Sequence, residues 1–232
     1  MTDTGAYIAD NIARISERIA IAADKSGRRP EDIKLVCVSK NFPPDMLNTA
    51  LACGVTCLGE NRVQEFLEKH AQVCPSEWHL IGHLQTNKVK NVIGKADMIQ
   101  SVDSVHLLNE IDRRSEEMGV TAKVLFQVNT SGEESKFGVS PDEINVLVER
   151  IQVLKHVKAY GIMTIAPLCV DKIATRLHFV NTQRLYIDMQ QNKYDNIDME
   201  YLSMGMSGDF EDAILAGSNM VRIGSSIFGS RK

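Results

Sequence analysis

From residue 33 onward, short apolar runs alternate with longer stretches whose apolar residues recur at helical spacing. The runs IKLVCVS (33–39), VTCLG (55–59), EWHLIG (77–82), ADMIQSV (96–102), AKVLFQVN (122–129), VKAYGIMTI (157–165), MEYLSMG (199–205) and NMVRIGS (219–225) predict strands. Between them, Pro44–Cys53, Asn61–Gln72, Asn87–Gly94, Val105–Met118, Pro141–Leu154, Lys172–Gln191 and Asp209–Ala216 predict helices. An additional helix is predicted over 5–24, where Ile8, Ile12, Ile15 and Ile19 share one face, and it is expected to close one end of the fold.

Eight strand–helix units without a long linker predict α/β architecture with parallel strands. That number suits a closed (β/α)8 TIM barrel, with residues 1–232 forming a single domain. An open doubly wound sheet is the alternative, but no G-x-G-x-x-G follows the first strand.

Composition narrows the function. The chain of 232 residues is 44% hydrophobic and 24% charged, enough to bury a full core. A net charge of -4 argues against nucleic acid, which needs a basic face. No apolar run is long enough to predict a membrane span, and the N-terminus does not read as a secretory signal. The five cysteines, Cys37, Cys53, Cys57, Cys74 and Cys169, are odd in number and lack C-x-x-C spacing, which suits a reducing cytoplasmic setting.

Chemistry enters at the end of the first strand. Side chains alternate faces along a strand, so Val36, Val38 and Lys40 share one face. If that face is the interior, Lys40 reaches the C-terminal rim, where barrels keep their chemistry. Desolvation there is expected to lower the pKa of its amine, making it a nucleophile toward aldehydes. A solvent-exposed lysine at a strand end is the plainer reading.

The second signal follows the last two predicted strands, where barrels often bind phosphate. The run SMGMSGD offers Ser203 and Ser207 with Gly205 and Gly208, and RIGSS offers Gly224, Ser225 and Ser226. Ser207 could equally cap a helix. Arg222, amid apolar neighbours, needs a partner: a bound anion, or an acid such as Glu200 or Asp209. Asn61, after the second strand, is positioned to contact a ligand, to orient Lys40 or to form a turn. His79 and His83 are four apart, but Gly82 and the missing glutamate of H-E-x-x-H argue against a metal site. His83 is a candidate contact near the rim, and Met163 reads as core or pocket wall.

The runs VSK (38–40), GEN (59–61), VQE (63–65), WHLIGHLQTNK (78–88), GIMTI (161–165), SMGMSGD (203–209) and MVRIGSSIFG (220–229) resemble those of the pyridoxal phosphate homeostasis proteins. Their fold is that of the alanine racemase N-terminal barrel. The resemblance implies pyridoxal 5'-phosphate (PLP) held as a Schiff base on Lys40. It implies that Ser203, Ser207, Gly224 and Ser225 hold the phosphate, and that Arg222 lies near the pyridine or phosphate. It also implies a protein of PLP and vitamin B6 homeostasis without catalytic residues of its own, passing cofactor to PLP-dependent apoenzymes; a monomer is expected because no obvious exposed apolar stripe remains once the helices are assigned. A second domain like that of the racemases is not expected, because the chain stops after the eighth unit. A weakly active PLP-dependent amino-acid racemase is the alternative. Without the resemblance, Lys40 and a phosphate site would equally describe a Schiff-base aldolase acting on sugar phosphates.

Overall fold

The computed structural model describes residues 3–130, 137–167 and 171–229; Cys169 and the C-terminal SRK lie outside them. Eight parallel strands close into a barrel in chain order: β1 (Lys34–Val38), β2 (Cys57–Glu60), β3 (Glu77–Leu80), β4 (Met98–Val102), β5 (Ala122–Gln127), β6 (Val157–Met163), β7 (Ile197–Met206) and β8 (Met220–Ile223). Helices α1 (Asp3–Lys25), α2 (Pro44–Ala52), α3 (Val63–His70), α4 (Val105–Met118), α5 (Ile144–Ile151), α6 (Lys172–Gln190), α7 (Phe210–Leu215) and α8 (Ser225–Phe228) surround it. This is the TIM barrel with an added N-terminal helix that the alternation of runs predicts. No helix among the described residues is long and apolar enough to cross a membrane.

Two predicted helices differ locally. Asn87–Gly94 forms a 3-10 turn over Thr86–Asn91. Pro141–Leu154 divides into a 3-10 turn, Pro141–Glu143, and α5. Glu143 accepts hydrogen bonds from both the backbone N–H and the hydroxyl of Ser140, and Pro141 has no N–H to give, so this first turn winds tightly.

The N-terminal helix also differs from expectation. It packs beside α2, α7 and α8 rather than closing an end of the barrel. Ile8, Ile12, Ile15 and Ile19 join Cys37, Leu58, Val221 and Ile223 in one buried cluster on the outer wall. The reason is coverage: α8 has only four residues, too few to shield the outer face of β8 and β1, and the apolar face of α1 does so.

Parity then places the inward residues. Val36, Cys57, Ile81, Met98, Leu125, Met163 and Met220 fill the interior, with Val38 packed against them. Cys37 instead faces the helices, as strand alternation requires. The barrel also needs one close backbone approach. Gly161 has φ of 135°, and a β-carbon there would collide with the carbonyl oxygen of Tyr201 on the neighbouring strand. The Gly161→Ala variant is expected to lose about 2–3 kcal/mol of stability in chemical denaturation. An unchanged midpoint would show that β6 and β7 can separate at that point without cost.

Candidate functional site

Lys40 follows β1 at the C-terminal mouth, and both of its chain neighbours are tied down. The Ser39 hydroxyl donates to Glu60 Oε2 at 2.6 Å. Lys69 Nζ donates to the Ser39 carbonyl at 2.9 Å, to Glu60 Oε2 at 2.7 Å and to Glu65 Oε2 at 2.8 Å. The Asn41 N–H completes the arrangement by donating to Glu65 Oε2 at 2.9 Å. Ser39, Glu60 and Lys69 are buried, and all three ammonium donors of Lys69 find acceptors. Asn41 takes a left-handed φ of 65°, a conformation asparagine tolerates and one that the bond to Glu65 holds. Lys40 itself is half-buried, and among the described residues it makes no hydrogen bond or ion pair. Its amine is therefore free while its backbone is fixed.

Sequence reasoning missed Glu65 and Lys69. Their spacing on α3 gave a faint signal, since residues four apart face the same way on a helix. Nothing in the sequence said that this face would meet the end of β1.

Next to β1, across the barrel closure, lies β8. Gly224 is buried against Val38, so close that a β-carbon there would stand 3.0 Å from the Val38 β-carbon and carbonyl oxygen. Its N–H donates to Ser207 Oγ at 3.4 Å, a long bond that links the ends of β7 and β8. Ser225 is exposed at the start of α8. Asn61 follows β2 half-buried, and its backbone N–H donates to Glu60 Oε1 at 2.8 Å. Lys40, Asn61, Ser207, Gly224 and Ser225 thus all sit where strands end at the same mouth.

Arg222 lies deeper, only 4% exposed. One terminal guanidinium nitrogen donates to Ser203 Oγ at 2.6 Å and the other to the Thr164 carbonyl at 2.7 Å. Among the described residues it forms no salt bridge with Glu200 or Asp209; the Asp209 carboxylate instead accepts the Met206 N–H at 2.6 Å. Burial pushes the Arg222 pKa down to about 10, with the charge of Asp209 opposing, so it keeps its proton at neutral pH.

Ser203, expected to hold the phosphate, lies deeper than the other candidates. It is fully buried, level with Met163 and Met220 in the barrel interior. Its hydroxyl donates to Gln100 Oε1 at 2.7 Å while accepting from Arg222. With that proton given to Gln100, the Ser203 oxygen seats the Arg222 guanidinium.

The two histidines of WHLIGH do not converge. His79 is fully buried on β3, whereas His83 stacks on Phe137 with ring centroids 4.0 Å apart and pairs with Asp103 at 3.4 Å. A different cluster forms low in the barrel, where ligand atoms of Cys57, Glu77 and His79 lie within 4.8 Å of one another. The sequence hid it because Cys57 and Glu77 come from adjacent strands in register. Lys34 fills a cation's place there, with its ammonium 2.7 and 2.6 Å from the two Glu77 oxygens. The hydrogen bond from His79, and then that from Lys34, hold the Glu77 carboxyl down to about 2 despite burial. Because the folded value lies below the unfolded one, this contribution to stability is present above the usual carboxylate range. It disappears as pH falls toward about 2.

The family model described as alanine racemase, N-terminal domain, matches residues 11–232. The pyridoxal phosphate homeostasis protein of Aquifex aeolicus is 41% identical over 225 residues, covering 96% of this chain and 98% of that protein. The Escherichia coli protein of the same name is 36% identical over 230 residues, covering 97% of each. The structure of PipY from Synechococcus elongatus with PLP bound superposes with a TM-score of 0.83 at 31% identity, covering 96% of this chain and 100% of that one. Alanine racemase from Clostridium difficile shares the fold, with a TM-score of 0.75 at 18% identity; the match covers 99% of this chain and 60% of the racemase.

The clamp around Lys40 makes a measurable claim. The Lys69→Met variant leaves the buried Glu60 carboxylate without its cation and is expected to lose about 3 kcal/mol or more in denaturant unfolding. Adding Glu60→Gln should restore part of that loss. Equal stability of the Lys69→Met variant and wild type would show that the pair does not hold the segment.

Proposed function

The chain belongs to the alanine racemase N-terminal domain family and, within it, to the pyridoxal phosphate homeostasis proteins; from that premise we propose that it binds PLP covalently through Lys40 and serves PLP homeostasis. The observation that carries the proposal is half-buried Lys40, its amine without a hydrogen bond or ion pair among the described residues, on a backbone clamped from both sides at a mouth shared with Ser207 and Gly224.

The residues fit the group. Bound PLP supplies a reactive aldehyde and a pyridine ring able to accept electrons. Lys40 Nζ is the amine that would hold the aldehyde, as a C=N bond made with loss of one water. The Ser207 and Ser225 hydroxyls suit the phosphate, and Gly224, whose N–H reaches the Ser207 oxygen, leaves room for its close approach. Asn61 borders the same mouth beside the clamp, within the GEN run shared with the family. Arg222 keeps N–H groups beyond those given to Ser203 and Thr164, and these suit the pyridine nitrogen.

That last pairing favours holding over turnover. A guanidinium protonated at neutral pH repels a proton on the pyridine nitrogen, which leaves the ring a poor electron sink. The same charge does nothing to prevent Lys40 from binding the aldehyde. The protein therefore buffers a reactive cofactor reversibly and passes it to PLP-dependent apoenzymes, without a reaction of its own.

Adding PLP to the purified protein is expected to produce a visible band. Borohydride should then fix a pyridoxyl group on Lys40, read by peptide mass. Lys40→Ala should give neither, and Gly224→Ala should weaken binding about tenfold by pushing the rim away from Val38. A wild type that stays colourless with PLP overturns the proposal. Steady racemisation of an amino acid, lost in Lys40→Ala, would transfer the site to the enzyme reading.

A further inference from the structure

Below Arg222 a line of polar side chains continues through the barrel interior. Arg222 donates to Ser203 Oγ at 2.6 Å, and Ser203 Oγ donates to Gln100 Oε1 at 2.7 Å. Gln100 Nε2 meets His79 Nδ1 at 2.7 Å, and His79 Nε2 meets Glu77 Oε1 at 2.8 Å. Lys34 closes the far end on Glu77. Ser203, Gln100 and His79 are each fully buried, and they stand on β7, β4 and β3.

The two ends fix the direction of every bond: Glu77 only accepts, and Arg222 only donates, so Ser203 gives its single O–H to Gln100 Oε1 and Gln100 gives its N–H to His79 Nδ1. A carboxylate only accepts, so His79 Nε2 carries the proton. Neutral His79 then has its lone pair on Nδ1, and Gln100 must turn its amide N–H toward it. That turns Gln100 Oε1 toward Ser203, which spends its single O–H there and faces Arg222 with a lone pair. We propose that Glu77, His79 and Gln100 are positioning residues whose one-way relay makes Ser203 an acceptor and so fixes the plane of the Arg222 guanidinium. Burial keeps His79 neutral by pushing its pKa down, which supports the same proton placement. The Lys34–Glu77 pair anchors the acceptor end, and chained bonds of one sense polarise and strengthen one another.

The bearing of the relay on PLP rests on the function proposed above; the relay itself does not. Its first test therefore uses the protein without cofactor. Nitrogen-15 NMR of the imidazoles should show His79 neutral with its proton on Nε2. The Arg222 guanidinium protons should be separately resolved in wild type, through slow rotation, and averaged in Gln100→Leu. A His79 proton on Nδ1, or Arg222 signals unchanged by Gln100→Leu, overturns the relay. Gln100→Glu keeps the side-chain shape and keeps the test open if the leucine variant does not fold. Its carboxylate cannot donate to Nδ1, so His79 should become doubly protonated, and a His79 still neutral on Nε2 also overturns the proposal.

The second test reads PLP affinity. Gln100→Leu should bind PLP about tenfold more weakly while still forming the band on Lys40. In an Arg222→Lys background the same change should have no further effect, because both act through one guanidinium. Fully additive losses overturn the positioning role. Absence of PLP binding in wild type would remove only the functional reading, and the NMR result would still decide the relay.

Discussion

The register between β1 and β8 is the constraint on which the site depends. Lys34 aligns with Met220, Val36 with Arg222 and Cys37 with Ile223, and this pairing closes the barrel. Side chains alternate faces, so a slip of one residue would turn Arg222 out toward the helices and bring an apolar neighbour inward. The observed register puts Arg222 inside, Gly224 against Val38, and Lys40 just past the end of β1. The outward residues of the same two strands, Cys37, Val221 and Ile223, pack under α1 and help hold the closure.

That closure brings polar groups into places where water cannot serve them. The fold answers with two networks of different character. Around Lys40, buried Glu60 and Lys69 join half-buried Glu65 in a group in which every Lys69 ammonium proton has an acceptor. Burial pushes the Glu65 carboxyl up, but the hydrogen bonds from Lys69 and Asn41 outweigh it, and its pKa lies below the usual range. Within the barrel, Arg222 has no carboxylate partner among the described residues and relies on a hydroxyl and a carbonyl, which leaves further N–H groups of its guanidinium uncommitted there. Both networks are expensive to break because the partner left behind stays buried. Each holds a functional group in position without neutralising it.

The mouth is therefore rigid on one side and receptive on the other. Lys40 has a fixed backbone and a free amine, a pairing that suits covalent capture of a small aldehyde. Ser207 and Gly224 bring hydroxyl and N–H groups from two neighbouring strand ends to the same edge. In the proposed function, an arginine as the inner wall favours retention, because it opposes the ring protonation on which electron withdrawal depends.

The alternation of apolar runs was enough to give eight strands and most of the helices between them, and it set which residues of β1 share a face. Those depend on local periodicity, and local periodicity is written in consecutive residues. The motif runs likewise marked Lys40, Arg222, Ser207 and Gly224 as residues of interest. The order of bonds among them was decided only by closure. Ser203 became the seat of Arg222 because β4 and β8 bring Gln100 and the guanidinium to the same hydroxyl. Lys69 became part of the site because α3 lies over the end of β1, and α1 became a wall helix because α8 is short. Hydrogen-bond partners distant in the chain are selected by geometry, and no run of neighbouring residues encodes which of them will meet.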